Sequence, residues 1–342
     1  MQIAPIFRPL RLGLDCGAHR TRLVTPERGI VLDEPSVLAI DIRTNKVLST
    51  GAEAEKMTGR VGDGIGIHWP VAVGEVVDEA FARALLQMFF RQASLRWLFP
   101  SPSMMVTTAV NISPAARQSW IDILYALGAG TVNTIAEPLA ASIGAGVPIA
   151  DASGSFLVQL GYDRTEAVVV SLGSIVESVS LSLGGNTLLR WLELELETEK
   201  HFSISRERMG HILHHVVSLD PDAQHTLLVT GKDASTKRPR EVEITSALLR
   251  KPVLKFAQRV EGAITELLSS IRPELTTDVI DKGFLLSGGL AQLSGLDTWL
   301  TERLGVPVSV VEQPAQAAIR GVQTTLENLD EFENSLAYQN NE

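Results

Sequence analysis

A chain of 342 residues, 45% of them hydrophobic and with a formal net charge of −10, is long enough for two domains with ample cores. That charge, offset by no basic cluster, argues against general nucleic-acid binding; KRPR at Lys237–Arg240 is too short for it and reads as a solvated turn. Cys16 is the only cysteine, which excludes an internal disulfide and fits a reducing cytoplasm, and no apolar run reaches the roughly 20 residues of a membrane-spanning helix.

The opening MQIAPIFRPLRLGLD does not read as a signal peptide, because Pro5, Arg8, Pro9 and Arg11 break its apolar run. From there to about residue 40 the pattern is one of strands and turns (RLGLD, TRLVT, GIVLDEPSVLAI), punctuated by Gly17 and Gly29. After His68-Trp69-Pro70 the period becomes helical, with Asp78 placed to cap a helix whose apolar face carries Phe81, Leu85, Met88 and Phe89. MMVTTAVNI predicts a buried strand. Ser113-Pro114 predicts a helix start closed by Gly128, and a shorter helix follows from about Glu137 to Gly144. FLVQLGYDRTEAVVVSLG, Phe156–Gly173, reads as a β-hairpin. Polar, helix-prone sequence fills about 187–250 and ends in strand-like REVEIT. A long helix is expected over about Ser246–Ile271, with Pro252 near its start; GFLLSGG is a strand into a glycine turn, Leu296–Leu304 a helix and VPVSVVE a strand. The acidic, Asn-rich tail after Leu326 reads as a fraying helix end.

The two hairpins share one pattern, Gly-x-x-Arg-Thr-x-x-Val. Gly17, Arg20, Thr21 and Val24 carry it in the first, and Gly161, Arg164, Thr165 and Val168 in the second. Two α/β halves that each open on such a hairpin predict a duplicated, pseudo-symmetric α/β fold of two lobes with a cleft between them. The layout resembles the actin superfamily, in which two such hairpins grip a nucleotide's phosphates. RGIVLDEPSVLAID, GAEAEKMTGR, IAEPLAASIGAGVPI, VVVSLGSIV, RPELTTDVIDKGFLLSGGLAQLSGLDTWL and VPVSVVEQPAQAAIRG resemble, in order, segments of MreB, the bacterial actin of cell shape, and cover about residues 10–325.

That resemblance implies an actin-like fold of two ribonuclease-H-like domains. The first lobe is expected over 1–150 with a small insert at about 40–71, the second over 151–325 with an insert at about 187–250, and an acidic tail over 326–342. It further implies filaments, usually antiparallel pairs lying on the inner membrane, and ATP with Mg²⁺ in the cleft. Partners are then other copies of the chain, another MreB-like protein and the membrane surface, with no nucleic acid.

The contacts themselves depart from the family. A phosphate grip needs close backbone approach and amide N–H groups aimed at the anion, and Mg²⁺ needs carboxylates. The family's first hairpin, Asp-x-Gly-Thr-Ala-Asn-Thr, corresponds here to Asp15-Cys16-Gly17-Ala18-His19-Arg20-Thr21; Asp15, Gly17 and Thr21 stay and the hydroxyl at Ala18 is lost. The second, Asp-x-Gly-Gly-Gly-Thr-Thr-Glu, corresponds to Gln159-Leu160-Gly161-Tyr162-Asp163-Arg164-Thr165-Glu166, so a carboxylate becomes neutral and two glycines become Tyr162 and Asp163. Thr-Gly-Gly-Gly becomes Ser287-Gly288-Gly289-Leu290, the nucleoside-side Glu-Arg-x-Lys becomes Glu207-Arg208-Met209-Gly210, and Glu137, which positions attacking water in the family, is intact.

Three readings stay open: a working ATPase; nucleotide binding without hydrolysis, with Arg20 and Arg164 replacing Mg²⁺; and an empty cleft whose arginines pair with Asp15, Asp163 or Glu166 and lock the lobes. The residues favour the last two over the first. The function expected is therefore a cytoskeletal scaffold with weak or absent ATP hydrolysis; an ATP-switched filament and a non-polymerising adaptor of a membrane machine are the alternatives.

By the same resemblance Trp97, Leu98 and Phe99 match a loop that enters the membrane, against a loop packed on its lobe, and Ile3, Ile6 and Phe7 could add a second anchor. His211 and His215 have i, i+4 spacing, but without a third ligand they read as solvated or packing histidines rather than a metal site. Cys16 is expected to face the core.

Overall fold

The computed structural model describes residues 9–96 and 100–329. In chain order the elements are β1 (Arg11–Cys16), β2 (Arg20–Thr25), β3 (Gly29–Pro35), β4 (Leu38–Asp41), β5 (Lys46–Thr50), α1 (Gly51–Met57), β6 (Ile65–His68), β7 (Val71–Ala72), β8 (Glu75–Val76), α2 (Glu79–Gln92), β9 (Ser103–Thr108), α3 (Pro114–Ala126), β10 (Thr131–Ala136) and α4 (Glu137–Gly144). There follow β11 (Ser155–Leu160), β12 (Thr165–Ser171), β13 (Ser174–Leu181), α5 (Gly185–Lys200), β14 (Phe202–Ser203), α6 (Arg206–His215), β15 (Thr226–Asp233), β16 (Pro239–Thr245), α7 (Ser246–Ser270), α8 (Pro273–Lys282), β17 (Phe284–Ser287), α9 (Leu296–Leu304), β18 (Val308–Val310) and α10 (Ala317–Glu327). The chain divides into two compact units, one of residues up to Ala150 together with those from Gln316 onward, the other Asp151–Ala315.

The first unit is built on a five-stranded sheet of order β10-β9-β1-β2-β3. β10, β9 and β1 run parallel, while β2 and β3 are antiparallel additions made by hairpins. Leu12, Leu14 and Leu23 from the sheet meet Leu85 and Phe89 of α2 and Trp120 of α3 in one core. Asp78 caps α2, its Oδ1 accepting from the Phe81 N–H at 2.9 Å, and Ser113 Oγ accepts from the Ala116 N–H at 3.1 Å to start α3. Met88, expected on the apolar face of α2, is instead exposed, and the buried stripe is Ala82, Leu85, Leu86, Phe89 and Phe90. A small sheet of order β5-β4-β6 carries α1 against it.

The second unit repeats the plan. Its five strands lie in the order β13-β12-β11-β17-β18, with β18, β17 and β11 parallel and β12 and β13 antiparallel. β12 is buried along its whole length, which explains its unbroken TEAVVVS run in place of an alternating pattern. α7 sets Leu249, Val253, Phe256, Val260, Ile264 and Leu267 at helical spacing into this unit's core. The region expected to be polar and helix-prone holds α5 and α6 and also a three-stranded sheet of order β14-β15-β16.

Two helices of the first unit cross at their glycines. A Cβ built on Gly321 of α10 would lie 1.7 Å from the Ala140 carbonyl oxygen of α4, and one on Gly144 would lie 1.9 Å from that of Ala317. The crossing seats α10 on the sheet, where Val322 and Leu326 reach the face of Gly13 and the Arg11 guanidinium donates to the Leu326 carbonyl at 2.8 Å.

Candidate functional site

The β1–β2 turn closes with the Gly17 N–H donating to the Arg20 carbonyl at 2.9 Å. This sets Arg22 opposite Asp15 on one side and opposite Asp33 on the other. Asp15 is buried; its Oδ1 accepts from Thr107 Oγ1 at 2.9 Å and its Oδ2 lies 3.3 Å from Arg22 Nη1. Arg20, two residues before Arg22 and so on the same face of the strand, donates from Nε to Asp33 Oδ1 at 2.6 Å and from Nη2 to the Asp33 carbonyl at 2.8 Å. Arg22 Nε completes the cluster 3.2 Å from Asp33 Oδ2. Burial pushes the Asp33 carboxyl up, but the charges and hydrogen bonds of Arg22 and Arg20 outweigh it and hold it below its ordinary value.

The turn's other side chains point to its own unit. Thr21 Oγ1 and Ser36 Oγ are 2.9 Å apart, and Ser36 Oγ donates to the Gly17 carbonyl at 2.7 Å. His19 stacks on Trp69 with centroids 5.9 Å apart, and its Nε2 lies 3.3 Å from Glu55 Oε1 on α1. The hydrogen bond from His19 draws the Glu55 carboxyl below its ordinary value. Cys16 is buried as expected, and burial raises its thiol well above the usual range, so it stays a protonated core residue.

In the second hairpin the Gly161 N–H donates to the Arg164 carbonyl at 2.8 Å, the same closure as in the first. The turn then caps a helix: the Gly161 carbonyl accepts from the Gly185 N–H at 3.0 Å and the Tyr162 carbonyl from the Asn186 N–H at 2.7 Å, both in the first turn of α5. Asp163 Oδ1 accepts from Asn186 Nδ2 at 2.8 Å. Arg206, the first residue of α6, donates from Nε to Tyr162 Oη at 3.1 Å and from Nη2 to both the carbonyl and the side-chain oxygen of Asn186. Its guanidinium carbon lies 6.0 Å from the Tyr162 ring centroid and its Nη1 3.8 Å from Glu193 Oε1.

Gln159 is buried, opposite Glu166 in the hairpin and beside Ser287 on β17. Glu166 Oε2 lies 3.4 Å from Arg164 Nε, and Thr165 Oγ1 donates to the Leu183 carbonyl at 2.7 Å. Gly288, at φ 89°, passes so close to β11 that a Cβ there would lie 2.2 Å from the Leu160 carbonyl oxygen; Gly289 follows at the start of a short 3₁₀ turn. Glu207 is exposed in the first turn of α6, while Met209 is buried under it. Glu137 is the first residue of α4, half-buried ahead of Pro138.

Each unit therefore gathers its own expected residues: Asp15, Gly17, Arg20 and Thr21 in one, and Gln159, Gly161, Arg164, Thr165, Gly288 and Gly289 in the other. Arg20 pairs with Asp33, not Asp15, because strand register gives Asp15 to Arg22. Asp33 and Arg206 were missed in the sequence. Hairpin register signals the first, since Asp33 stands opposite Arg22; nothing local signals the second, which lies 44 residues from Tyr162. His211 and His215 have centroids 4.2 Å apart, and no three His, Cys, Asp or Glu side chains gather as metal ligands among the described residues. Trp97, Leu98, Phe99, Ile3, Ile6 and Phe7 lie outside the described residues. No described helix is long and apolar enough to cross a membrane.

The repeated sheet with its glycine-closed hairpin places the chain among the actin-like α/β proteins, and the solved structures it resembles agree. MreB 5 of Spiroplasma citri bound to AMPPNP superposes with a TM-score of 0.91 at 22% identity, covering 96% of this chain and 99% of that one. A MamK double helical filament gives 0.77 at 18% identity, over 94% and 99% of the two chains. The MreB/Mbl protein family profile matches residues 10–334. The chain belongs to the MreB/Mbl family. It is 31% identical to the cell shape-determining protein Mbl of Bacillus subtilis over 94% of this chain and 97% of that one. It is also 31% identical to the cell shape-determining protein MreB of Escherichia coli, over 93% and 94%.

Proposed function

We propose that this protein is a cytoskeletal actin-like scaffold that forms filaments, or joins those of another MreB-like protein, at the inner membrane surface, and that it hydrolyses ATP weakly or not at all. The observation that carries the second half is the second hairpin, whose turn is engaged by Gly185, Asn186 and Arg206 of its own chain. A magnesium nucleotide does not fit that arrangement. Gln159 offers a neutral amide where the family has a carboxylate, and N–H groups of the α5 start already bind the turn's carbonyls. In the first unit Asp15 is engaged by Thr107 and Arg22. Filament formation rests on family membership and on the likeness to the MamK filament.

Nucleotide-stripped protein is expected to form filaments in electron microscopy, with negligible phosphate release on adding ATP and Mg²⁺. Monomers that assemble only with ATP and Mg²⁺ would overturn the reading. Such a result would favour a second one, an ATP-switched filament, to which the intact Glu137 and the nucleotide-bound S. citri structures point.

For the membrane, Trp97→Ala with Phe99→Ala is expected to reduce binding to anionic liposomes while leaving Tm within a few degrees, because interfacial aromatics lose contact area without opening a core. A large fall in Tm with lipid binding retained would assign those residues to packing.

A further inference from the structure

We propose that Arg206, Tyr162 and Asn186 form an internal strut that takes the place of a nucleotide on the second unit and keeps that unit closed to one. This deepens the reading that the second hairpin does not hold a magnesium nucleotide, and rests on it. On the pattern of the family it resembles, a bound nucleotide would lay its phosphates at the β11–β12 turn and its nucleoside near Glu207 and Arg208 at the start of α6. Here side chains make that connection. Tyr162 rises from the turn, Arg206 comes from the first position of α6, and Asn186, at the start of α5, clasps both the guanidinium and Asp163.

The charge and donor inventories both support the strut. A guanidinium is the group that would bind phosphate best, through its planar fork of donors. This one spends Nε on Tyr162 Oη, spends Nη2 on two oxygens of Asn186, and turns Nη1 toward Glu193 at 3.8 Å. Its face lies toward the Tyr162 ring, 6.0 Å from the centroid. The N–H groups of Gly185 and Asn186, which a helix start would otherwise offer to an anion, are taken by the Gly161 and Tyr162 carbonyls. Tyr162 fills space that glycine leaves open, and Arg206 stands immediately before the Glu207-Arg208 pair to meet it.

The test is isothermal titration of the full chain with ATP and with ADP, in the presence of Mg²⁺, paired with thermal unfolding. Wild type is expected to show no saturable binding at millimolar nucleotide and no shift in Tm. The Arg206→Ala/Tyr162→Gly double variant is expected to melt lower than wild type without nucleotide, to bind with a Kd at least about ten-fold below the nucleotide concentration at which wild type stays unsaturated, and to regain Tm with ADP. Should the double variant fail to fold by circular dichroism, Arg206→Gln decides: it keeps the stem and removes the fork, and saturable binding at millimolar nucleotide, absent in wild type, is expected. A folded variant with no gain in affinity overturns the strut while leaving the non-binding reading of the second hairpin intact. Micromolar binding by wild type overturns both.

Discussion

Gly321→Leu is expected to lower the melting temperature by about 10 °C, through a cost of roughly 3 kcal/mol at the upper end of overpacking. The atoms that a side chain at Gly321 would meet are backbone: the Ala140 carbonyl oxygen at 1.7 Å, its carbon at 2.6 Å and the Gly144 nitrogen at 2.9 Å. No rotamer relieves such a contact, so α4 and α10 must move apart. Moving α10 lifts Val322 and Leu326 from β1. The sign of the smaller change is the sharper check. Gly→Ala inside a helix ordinarily stabilises by about 0.5–1 kcal/mol, whereas here Gly321→Ala should destabilise. Thr324→Ala, exposed on the same helix, should change stability by no more than about 0.5 kcal/mol. A Tm that rises in Gly321→Ala would mean that the helices are not in backbone contact.

The second large effect is electrostatic. Arg22→Met is expected to cost about 3–5 kcal/mol at neutral pH, because it leaves the buried Asp15 without its cation and the half-buried Asp33 with Arg20 alone. In wild type the Asp33 carboxyl is depressed. Its contribution to stability is therefore fully present above the unfolded aspartate value of about 3.9 and is lost as pH falls through the lower, folded value. In Arg22→Met the larger of the two lowering charges on Asp33 is gone while burial still pushes that carboxyl up, so its protonation relieves the variant in mild acid. Denaturant midpoints measured from pH 7 downward should show the gap between variant and wild type narrowing as pH falls. A gap independent of pH would show that Arg22 contributes packing rather than charge.

Most of the fold could be read in the chain because its signals are local. Asp78 and Ser113 cap where they stand in the sequence, and the apolar period of Ser246–Ser270 needs no partner to be recognised. The duplication was legible too, since Gly17 and Gly161 close their turns on Arg20 and Arg164 in the same way. Several elements escaped, α1, β10, β13, β15 and α8 among them. α1 has seven residues, too few for a period, and Pro273 breaks the pattern just where α8 begins.

The candidate site was legible as a set of departures and not as an arrangement. That Tyr162 and Asp163 stand where the family pattern has glycines follows from the resemblance of the hairpin. That Asn186 and Arg206 hold them depends on how α5 and α6 pack on the hairpin, which no spacing encodes. The partner of Arg20 was misread for a related reason. Proximity in sequence suggested Asp15, but strand pairing puts Arg22 opposite Asp15 and leaves Asp33 to bind both arginines.

The seating of α10 has a bearing on how the chain is made. Its residues are translated last among the described elements, yet they complete the unit to which the first 150 residues belong. Asp151–Ala315 is continuous and has all its strands once β18 has left the ribosome. The earlier-made unit has no such option, since the face of β1 under Val322 and Leu326 stays uncovered until residues 317–327 emerge. Vectorial synthesis would ordinarily let the N-terminal part mature first. Here the order is reversed: the N-terminal sheet is covered only after some 170 further residues, from Asp151 to about Val322, have been made.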